Sequence, residues 1–137
     1  MRDLDVQLVQ VNFRYGDNAY LPYSVGLLES YVRSDERLKN ISFRETIFLR
    51  QPINETVNSL NGVNVLAISC YLWNWNWSLE LAKAAKKEFP GLIIVLGGPQ
   101  VPEEDQLFLE KHSYLDFLVF NEGELVFANL LFELSQK

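Results

Sequence analysis

The residues of this chain that could do chemistry stand directly after three apolar runs. Ser69 ends the run that begins at Val63 and Cys70 follows it, Gly97-Gly98-Pro99-Gln100 follows the next run, and Asn121-Glu122-Gly123-Glu124 follows a third. Hydroxyls and carboxylates can hydrogen-bond a ligand, and glycines let a ligand approach the backbone. In an open parallel sheet, ligands sit at the loops where the strands end. These residues therefore predict a binding site.

Nucleophilic and metal chemistry receive little support from the sequence. The only cysteine is Cys70, and the only histidine, His112, is expected at the end of a helix on the opposite side of the sheet from these loops. A Cys–His pair is therefore not expected, and no residues show metal-ligand spacing. Glu122 and Glu124 are more typical of a helix amino terminus than of a general acid–base pair. We predict no catalytic residue and no metal ligand.

Three tryptophans alternate with asparagines in the segment 70–77, immediately after the run that ends at Ser69. An aromatic surface near a cleft is typical of a site for a large, flat, partly apolar ligand. The alternative is that Trp73 and Trp77 pack beneath the following helix while Trp75 is half exposed. Gly97-Gly98 leaves a similar alternative open, since a tight strand-to-helix turn requires glycine for its geometry alone.

Apolar runs alternate with amphipathic segments along the whole chain, and this alternation predicts an α/β fold. We expect a three-layer, doubly wound, Rossmann-like or flavodoxin-like sheet of five parallel strands in the order 2-1-3-4-5, with the switch point between strands one and three. The ligand face then combines the loops 13–20, 69–77, 97–101 and 121–124. Strands are predicted over 4–12, 41–49, 63–69, 92–96 and 114–120, and helices from Pro22 to about Ser34 and over 52–60, 79–89, 102–112 and 122–134.

Size and charge narrow the possible functions. The 137 residues fit one domain, and a hydrophobic content of 48% is too high for a disordered chain. The formal net charge of −6 repels phosphate backbones, so no nucleic-acid partner is expected. No apolar run reaches the roughly 20 residues that cross a membrane, and the segment 1–5 lacks the pattern of a secretory signal. We expect a cytoplasmic protein with no membrane partner.

Four segments in order, 22–31, 68–74, 96–102 and 116–124, resemble the N-terminal cobalamin (vitamin B12)-binding domain of B12-dependent radical SAM enzymes. The resemblance covers nearly the whole chain. It implies the doubly wound fold, with the corrin ring over the carboxyl ends of the strands and the nucleotide tail beside the loops after the third and fourth strands.

Carried over residue by residue, the resemblance implies a cobalamin site. Ser69 would lie near the nucleotide tail, and Gly97-Gly98 would let the tail pass. The segment 121–124 matches the family's Gly-Glu-Gly-Glu except that Asn121 replaces the first glycine, which affects the final loop. The expected cofactor-binding residues are Asn12, Tyr15, Ser69, Cys70, Tyr71, Trp73, Gly97, Gly98, Pro99, Gln100, Glu122 and Gly123.

Two motifs of related proteins are absent. B12 domains of the methionine-synthase and mutase type carry Asp-x-His-x-x-Gly after the first strand, where the histidine ligates cobalt, whereas residues 12–17 here contain no histidine. We therefore expect cobalamin without a histidine ligand. The radical SAM Cys-x-x-x-Cys-x-x-Cys motif is also missing, so the 4Fe-4S cluster and S-adenosylmethionine are expected only in a missing C-terminal radical SAM domain of the same chain. Because the chain ends at Lys137, directly after the last predicted helix, we expect residues 1–137 to be an excised domain.

Two functions of different classes follow. The first is a cobalamin-binding module that positions a cofactor whose chemistry, often methyl transfer, belongs to a longer enzyme. The second is an interaction or regulatory domain that kept the fold and lost the ligand. A receiver domain would need acids after the first strand and an aspartate after the third, where Asn12 and Ser69 stand, and a flavodoxin would need a hydroxyl-rich phosphate loop in place of 13–16.

Overall fold

The computed structural model of the protein describes residues 1–12, 14–103, 105–120 and 123–137. Two short 3-10 helices, Glu36–Leu38 and Leu72–Asn74, supplement the longer elements. The strands are β1 (Leu4–Val9), β2 (Arg14–Tyr15), β3 (Asn18–Ala19), β4 (Ile41–Phe43), β5 (Val65–Ser69), β6 (Ile93–Gly97) and β7 (Phe117–Leu118). The α-helices are α1 (Tyr23–Ser34), α2 (Ile53–Asn58), α3 (Trp75–Glu88), α4 (Asp105–Lys111) and α5 (Gly123–Ser135).

Five strands form one parallel sheet in the order β4-β1-β5-β6-β7. Numbered along the chain within this sheet, the order is 2-1-3-4-5, so the predicted doubly wound α/β fold is confirmed. Every residue of β5 is buried, as expected for a central parallel strand that is covered on both faces. All five strands end at one edge of the sheet, which we call the carboxyl edge.

A separate apolar cluster covers each face of the sheet. On one face, Leu81 of α3 shares a cluster with Ile68 of β5. On the other face, Val25 of α1 and Phe127 of α5 share a cluster with Ala67 of β5. Successive residues of a strand point to opposite faces, so Ala67 and Ser69 face the α1/α5 layer, and Ile68 faces the α2/α3 layer.

The segment 13–20, predicted as a loop, contains an antiparallel hairpin of β2 and β3. Gly16, with φ +60°, lies in its turn, a conformation that glycine adopts without steric cost. The Asn12 side-chain amide donates to the carbonyl oxygens of Tyr20 and Leu21 and so connects the end of β1 to the segment that follows the hairpin. Phe13 lies outside the described residues.

The two outer strands of the sheet are shorter than predicted. β4 ends at Phe43 instead of Leu49, although a single bridge between Val9 and Ile47 prolongs contact with β1. β7 spans two residues of the predicted 114–120. An edge strand pairs on one side only, so its regular pairing ends more readily than that of a central strand.

Two helices differ most from the sequence-based prediction. α3 begins at Trp75 instead of Leu79, because the 3-10 helix Leu72–Asn74 leads directly into it. Asn76 and Ser78 therefore lie inside α3. α4 is shorter than the predicted 102–112, whereas α1 begins directly after Pro22, as predicted.

Candidate functional site

A cleft of about 650 Å³ opens at the carboxyl edge of the sheet, between the sheet and the α1/α5 layer. This volume lies within the range of roughly 300–1,000 Å³ that is usual for small-molecule sites. The cleft lies over β5, β6 and β7, so it is displaced from the predicted switch point between β1 and β5. Its described lining residues are Ser24, Val25, Leu27, Leu28, Ala67, Ile68, Ser69, Tyr71, Val95, Gly97, Gly98, Pro99, Val101, Glu103, Val119, Phe120, Gly123, Glu124 and Phe127.

Small residues form the floor of the cleft. Ser69 and Gly97 lie directly opposite each other in the register of β5 and β6, and Ala67 lies two residues before Ser69 on the same face. The Ser69 side chain is 7% exposed, and within the described part of the chain its hydroxyl makes no hydrogen bond. Ser69 therefore offers a hydroxyl that borders an open cleft and is free, within the described chain, to bind a ligand.

The adjacent glycines meet different surroundings. A methyl group on Gly97 would lie 3.7 Å from the Val119 carbonyl oxygen, an ordinary contact. Gly98 has φ +96°, and a methyl group there would overlap the Cys70 carbonyl oxygen and lie 2.7 Å from the Cys70 nitrogen. The fold thus requires glycine at position 98, as the tight-turn alternative predicted, whereas the fold does not require it at position 97, where its absent side chain leaves room in the cleft.

Asn74 holds the loop after β5 in place, a role that the sequence analysis missed. Its fully buried side-chain amide donates to the carbonyl oxygens of Val11, at 3.0 Å, and Ser69, at 3.1 Å. Its side-chain oxygen accepts from the Tyr71 backbone N–H at 2.8 Å. The signal in the sequence is a polar residue between two tryptophans, directly after a buried strand.

Tyr71 links this loop to α1 across the cleft. Its phenol oxygen lies 2.6 Å from the Ser24 hydroxyl oxygen, and its ring stacks on Trp73, with centroids 4.7 Å apart and planes 11° apart. Trp73 is 38% exposed, and its carbonyl oxygen accepts a 2.7 Å hydrogen bond from the Arg50 guanidinium. The Tyr71–Trp73 stack places an aromatic surface beside the cleft.

The other two tryptophans pack on the opposite side of the sheet. Trp77 is 7% exposed, and its indole N–H donates to the Gln51 carbonyl oxygen. Trp75 packs against the α2/α3 cluster, with its ring centroid 5.7 Å from that of Phe108. The sequence left two alternatives, an aromatic surface near the cleft or packing of Trp73 and Trp77 beneath the next helix with Trp75 half exposed. Trp77 is buried, as the second alternative predicted, but Trp73 is the most exposed of the three tryptophans, so neither alternative describes all three.

The Cys70 side chain does not face the cleft. It is fully buried in the α2/α3 cluster, and burial raises the pKa of its thiol to about 12, partly offset by the neighbouring Ser78 hydroxyl. The thiolate is therefore essentially absent at neutral pH. Cys70 contributes its backbone instead: its N–H donates to Gly97 and its carbonyl oxygen accepts from Gln100.

The structure brings half of the predicted cofactor-binding residues together. Those that line the cleft are Ser69, Tyr71, Gly97, Gly98, Pro99 and Gly123, whereas Asn12, Cys70, Trp73 and Gln100 are not in its lining. Glu122, Asn121 and the side chain of Tyr15 lie outside the described residues. The lining also includes Ser24, which the resemblance included without assigning it a role, and Glu103, which the sequence analysis did not single out.

His112 lies far from this cleft. It follows α4 at the edge of the sheet where β7 begins, opposite the carboxyl edge. Its ring lies 4.3 Å from that of Phe108, centroid to centroid, and its Nδ1 is 2.9 Å from the Tyr114 hydroxyl oxygen.

Among the described residues, no three His, Cys, Asp or Glu side chains are grouped to hold a metal ion. No helix of the described chain is long and apolar enough to cross a membrane.

Comparison with known proteins identifies one family and two long relatives. Residues 42–131 match the family model of the B12 binding domain. The chain is 41% identical over 113 residues to the cobalamin-dependent radical SAM methyltransferase TokK of Streptomyces tokunonensis, covering 82% of this chain and 17% of that protein. It is 38% identical over 115 residues to the 2-(S-pantetheinyl)-carbapenam-3-carboxylate methyltransferase of Streptantibioticus cattleyicolor, covering 83% and 17%. The chain thus spans about a sixth of the length of these relatives.

Solved structures share the fold at low sequence identity. A cobalamin-binding protein from Desulfitobacterium hafniense DCB-2 superimposes with a TM-score of 0.60 at 15% identity, over 95% of this chain and 59% of that chain. The pilus assembly protein CpaE from Caulobacter crescentus CB15 gives 0.64 at 13% identity, over 98% and 95%. Similarity at this level of identity shows the fold alone.

Proposed function

We propose a function for this chain from the premise that it belongs to the B12-binding domain family. It is a cobalamin-binding domain homologous to those of B12-dependent radical SAM methyltransferases. In our proposal it holds the corrinoid over the carboxyl edge of the sheet, with the nucleotide tail in the cleft and without a histidine ligand to cobalt. The observation that carries this proposal is the small-residue floor at Ser69 and Gly97.

The cleft residues fit the chemistry of a nucleotide tail. A benzimidazole base carries a ring-nitrogen acceptor, and the Ser69 hydroxyl is a donor at the floor of the cleft that makes no hydrogen bond within the described chain. Gly97 and Ala67 leave space above the sheet, and Val95 and Val119 supply apolar walls. A heteroaromatic group with one acceptor matches this combination of apolar walls and a single hydroxyl.

The aromatic pair beside the cleft supports the position proposed for the corrin. Tyr71 and Trp73 stack on each other, and Arg50 holds the Trp73 carbonyl oxygen. The stack is a flat, partly apolar surface of the kind on which a large planar ring packs. Roles for Asn12, Tyr15, Gln100 and Glu122 in cofactor binding remain predictions, and any role for Cys70 would involve its backbone.

We base the proposed lack of a histidine ligand to cobalt on the number of histidines in the sequence and on where the single one lies. His112 is the only histidine of the chain, and it lies at the edge of the sheet opposite the cleft, beside Phe108 and Tyr114. A cobalamin at the carboxyl edge therefore meets no imidazole from this chain.

The domain works, in our proposal, as the cofactor-holding part of a longer radical SAM enzyme in the cytoplasm. The 4Fe-4S cluster and S-adenosylmethionine would bind to the radical SAM domain, which is the partner of this domain within the same polypeptide. Bound cobalamin supplies group-transfer chemistry, often of a methyl group. The residues of this chain bind and orient the cofactor, and we assign none of them a catalytic role.

The competing function, an interaction domain that has lost its ligand, would be favoured if the tryptophans closed over the cleft. Trp75 and Trp77 instead pack against the α2/α3 cluster, and the cleft keeps a volume of about 650 Å³. No feature of the described chain favours this second function over binding.

The test is a titration of the purified domain with hydroxocobalamin and methylcobalamin, followed by the visible spectrum and by calorimetry. We expect one cofactor per chain. Ser69→Ala should weaken binding about fivefold, since one hydrogen bond contributes about 1 kcal/mol. Ser42→Ala, which changes an exposed serine on edge strand β4, should leave binding unchanged. No interaction at high micromolar cofactor would refute the proposal.

A further inference from the structure

A hydrogen bond between two hydroxyl groups joins α1 to the loop after β5. The Ser24 hydroxyl oxygen, in the first turn of α1, lies 2.6 Å from the Tyr71 phenol oxygen. Both residues line the cleft, and both are half-buried. Because α1 follows β1 and because β1 and β5 are neighbours in the sheet, this pair spans the switch point. We call the pair the Ser24–Tyr71 bridge, and it bounds the cleft on the side of β1.

A buried side chain fixes the α1 end of the bridge. Pro22 precedes α1 and supplies no side-chain acceptor for the first N–H groups of the helix. Gln10, which directly follows β1 and is 5% exposed, supplies one instead, since its Oε1 accepts from the Val25 N–H at 3.2 Å. A side-chain acceptor at this position is a helix cap. Because Val25 is the next residue after Ser24, the cap fixes Ser24 relative to the sheet.

A second buried side chain fixes the other end of the bridge. The Asn74 side-chain oxygen accepts from the Tyr71 N–H, and its amide donates to the Ser69 carbonyl oxygen at the end of β5. The Tyr71 ring also stacks on Trp73. The two hydroxyls are therefore held within hydrogen-bonding distance by groups of the protein itself, before any ligand binds. A wall that is ordered in advance spares a ligand the entropic cost of ordering it.

We propose that the Ser24–Tyr71 bridge makes the domain selective for corrinoids that carry a nucleotide tail. This inference rests on the proposed binding of cobalamin, in which the tail enters the cleft and the corrin ring lies over the carboxyl edge. The bridge bounds the space of the tail and holds α1 at a fixed separation from the loop after β5. Without the bridge, binding of the tail has to order these two elements relative to each other, which lowers affinity.

A hydrogen bond between two elements also has a simpler role, which is to stabilise the fold. The two roles differ in what they predict for a corrinoid without a tail. A bridge that only stabilises the fold affects every corrinoid equally, whereas a bridge that orders the wall of the cleft affects only the ligand that enters the cleft.

The experiment measures dissociation constants by visible-spectrum titration for hydroxocobalamin and for aquacobinamide, which has the corrin ring but no nucleotide tail. The proteins are the unmodified domain, Ser24→Ala, Tyr71→Phe and the double variant. Tyr71→Phe removes the hydroxyl and keeps the ring that stacks on Trp73. We expect each single variant to bind hydroxocobalamin about fivefold more weakly, the cost of ordering about one side chain. The double variant should also lose about fivefold, because all three variants lack the same hydrogen bond. Aquacobinamide should bind all four proteins equally well.

The matched control is Ser30→Ala/Tyr31→Phe, which makes the same two substitutions at exposed residues of α1. It should leave both dissociation constants unchanged. Undiminished hydroxocobalamin binding by the bridge variants overturns the inference and leaves the proposed function standing. An equal loss of affinity for aquacobinamide also overturns it, and so does a loss in the double variant that equals the product of the two single losses. Failure of hydroxocobalamin to bind the unmodified domain overturns the proposed function and this inference together.

Discussion

Gly97 and Gly98 are neighbours with separate roles in this domain. Gly98 stands where the loop after β6 crosses the backbone of Cys70, at φ +96°, and a side chain there meets main-chain atoms that cannot move aside. Gly97 is the last residue of β6, and a methyl group there makes only ordinary contacts with Val119. We therefore propose that Gly97 serves ligand binding, whereas the fold itself requires Gly98.

Alanine substitutions separate these two roles. Gly98→Ala should lower the free energy of unfolding by about 2–4 kcal/mol, because a positive φ and a main-chain overlap add together. Gly97→Ala should leave the free energy of unfolding within about 1 kcal/mol of the parent, yet weaken hydroxocobalamin binding about tenfold, because its methyl group fills space beside Ser69. Urea unfolding and spectral titration measure the two quantities. Equal stability of both variants would contradict the role of Gly98.

Ser69 and Cys70 show what the sequence can and cannot predict about single residues. Ser69 is the last residue of a buried strand and Cys70 follows it, and both were predicted to bind the cofactor. Ser69 faces the cleft, whereas Cys70 faces the α2/α3 cluster. The alternation of a strand predicts that neighbours point to opposite faces, but which face carries the cleft depends on how α1 and α5 pack.

The segment 70–78 is the element that sequence patterns predict least well. Its aromatic residues suggest an exposed loop, yet α3 begins at Trp75. Burial of Trp77 and its hydrogen bond to Gln51 come from residues far away in the chain. Local propensity carries no information on such tertiary contacts, whereas Pro22 and the period of the apolar residues after it were sufficient to predict α1.

Asn74 should determine the shape of this element. The Asn74 side chain is fully buried. Asn74→Ala removes the hydrogen-bond partner of the Val11 carbonyl oxygen, the Ser69 carbonyl oxygen and the Tyr71 N–H. We expect the free energy of unfolding to fall by about 3 kcal/mol, and hydroxocobalamin binding to weaken because Tyr71 and Ser69 are displaced.

Asn76→Ala is the matched control for this prediction. Asn76 is the same residue type two positions along the chain and is exposed, so its removal should change the free energy of unfolding by less than about 0.5 kcal/mol. Urea unfolding followed by circular dichroism measures both variants. If Asn74→Ala matches Asn76→Ala in stability, the three hydrogen bonds do not hold the loop.

At the scale of the whole molecule, the strand order was predictable and the position of the cleft was not. Alternating apolar and amphipathic segments were sufficient for the order β4-β1-β5-β6-β7, because a parallel sheet with helical connections has few possible arrangements. The displacement of the cleft from the switch point towards β6 and β7 depends on the space that α1 and α5 leave above Gly97 and Ala67. That space depends on how two helices about 90 residues apart in sequence pack together.

Because segments that are distant in the sequence form the cleft, cofactor binding should depend on folding and should stabilise the folded domain. Cleft residues run from Ser24 in α1 to Phe127 in α5, so the site exists only when both helices are packed on the sheet. A cofactor that binds this site binds the folded state alone and stabilises it through mass action. At a hydroxocobalamin concentration 100 times its dissociation constant, we expect the free energy of unfolding to rise by about 2.7 kcal/mol.

For a domain of this size, that gain corresponds to a melting-temperature increase of roughly 9 °C, which differential scanning calorimetry measures without interference from the colour of the cofactor. Under the same cofactor concentration, Gly97→Ala should show a smaller increase, because its affinity is lower while its fold is unchanged. Binding in a titration without any rise in melting temperature would place the cofactor on a surface that survives unfolding. That result would contradict a site assembled from α1, α5 and the carboxyl edge of the sheet.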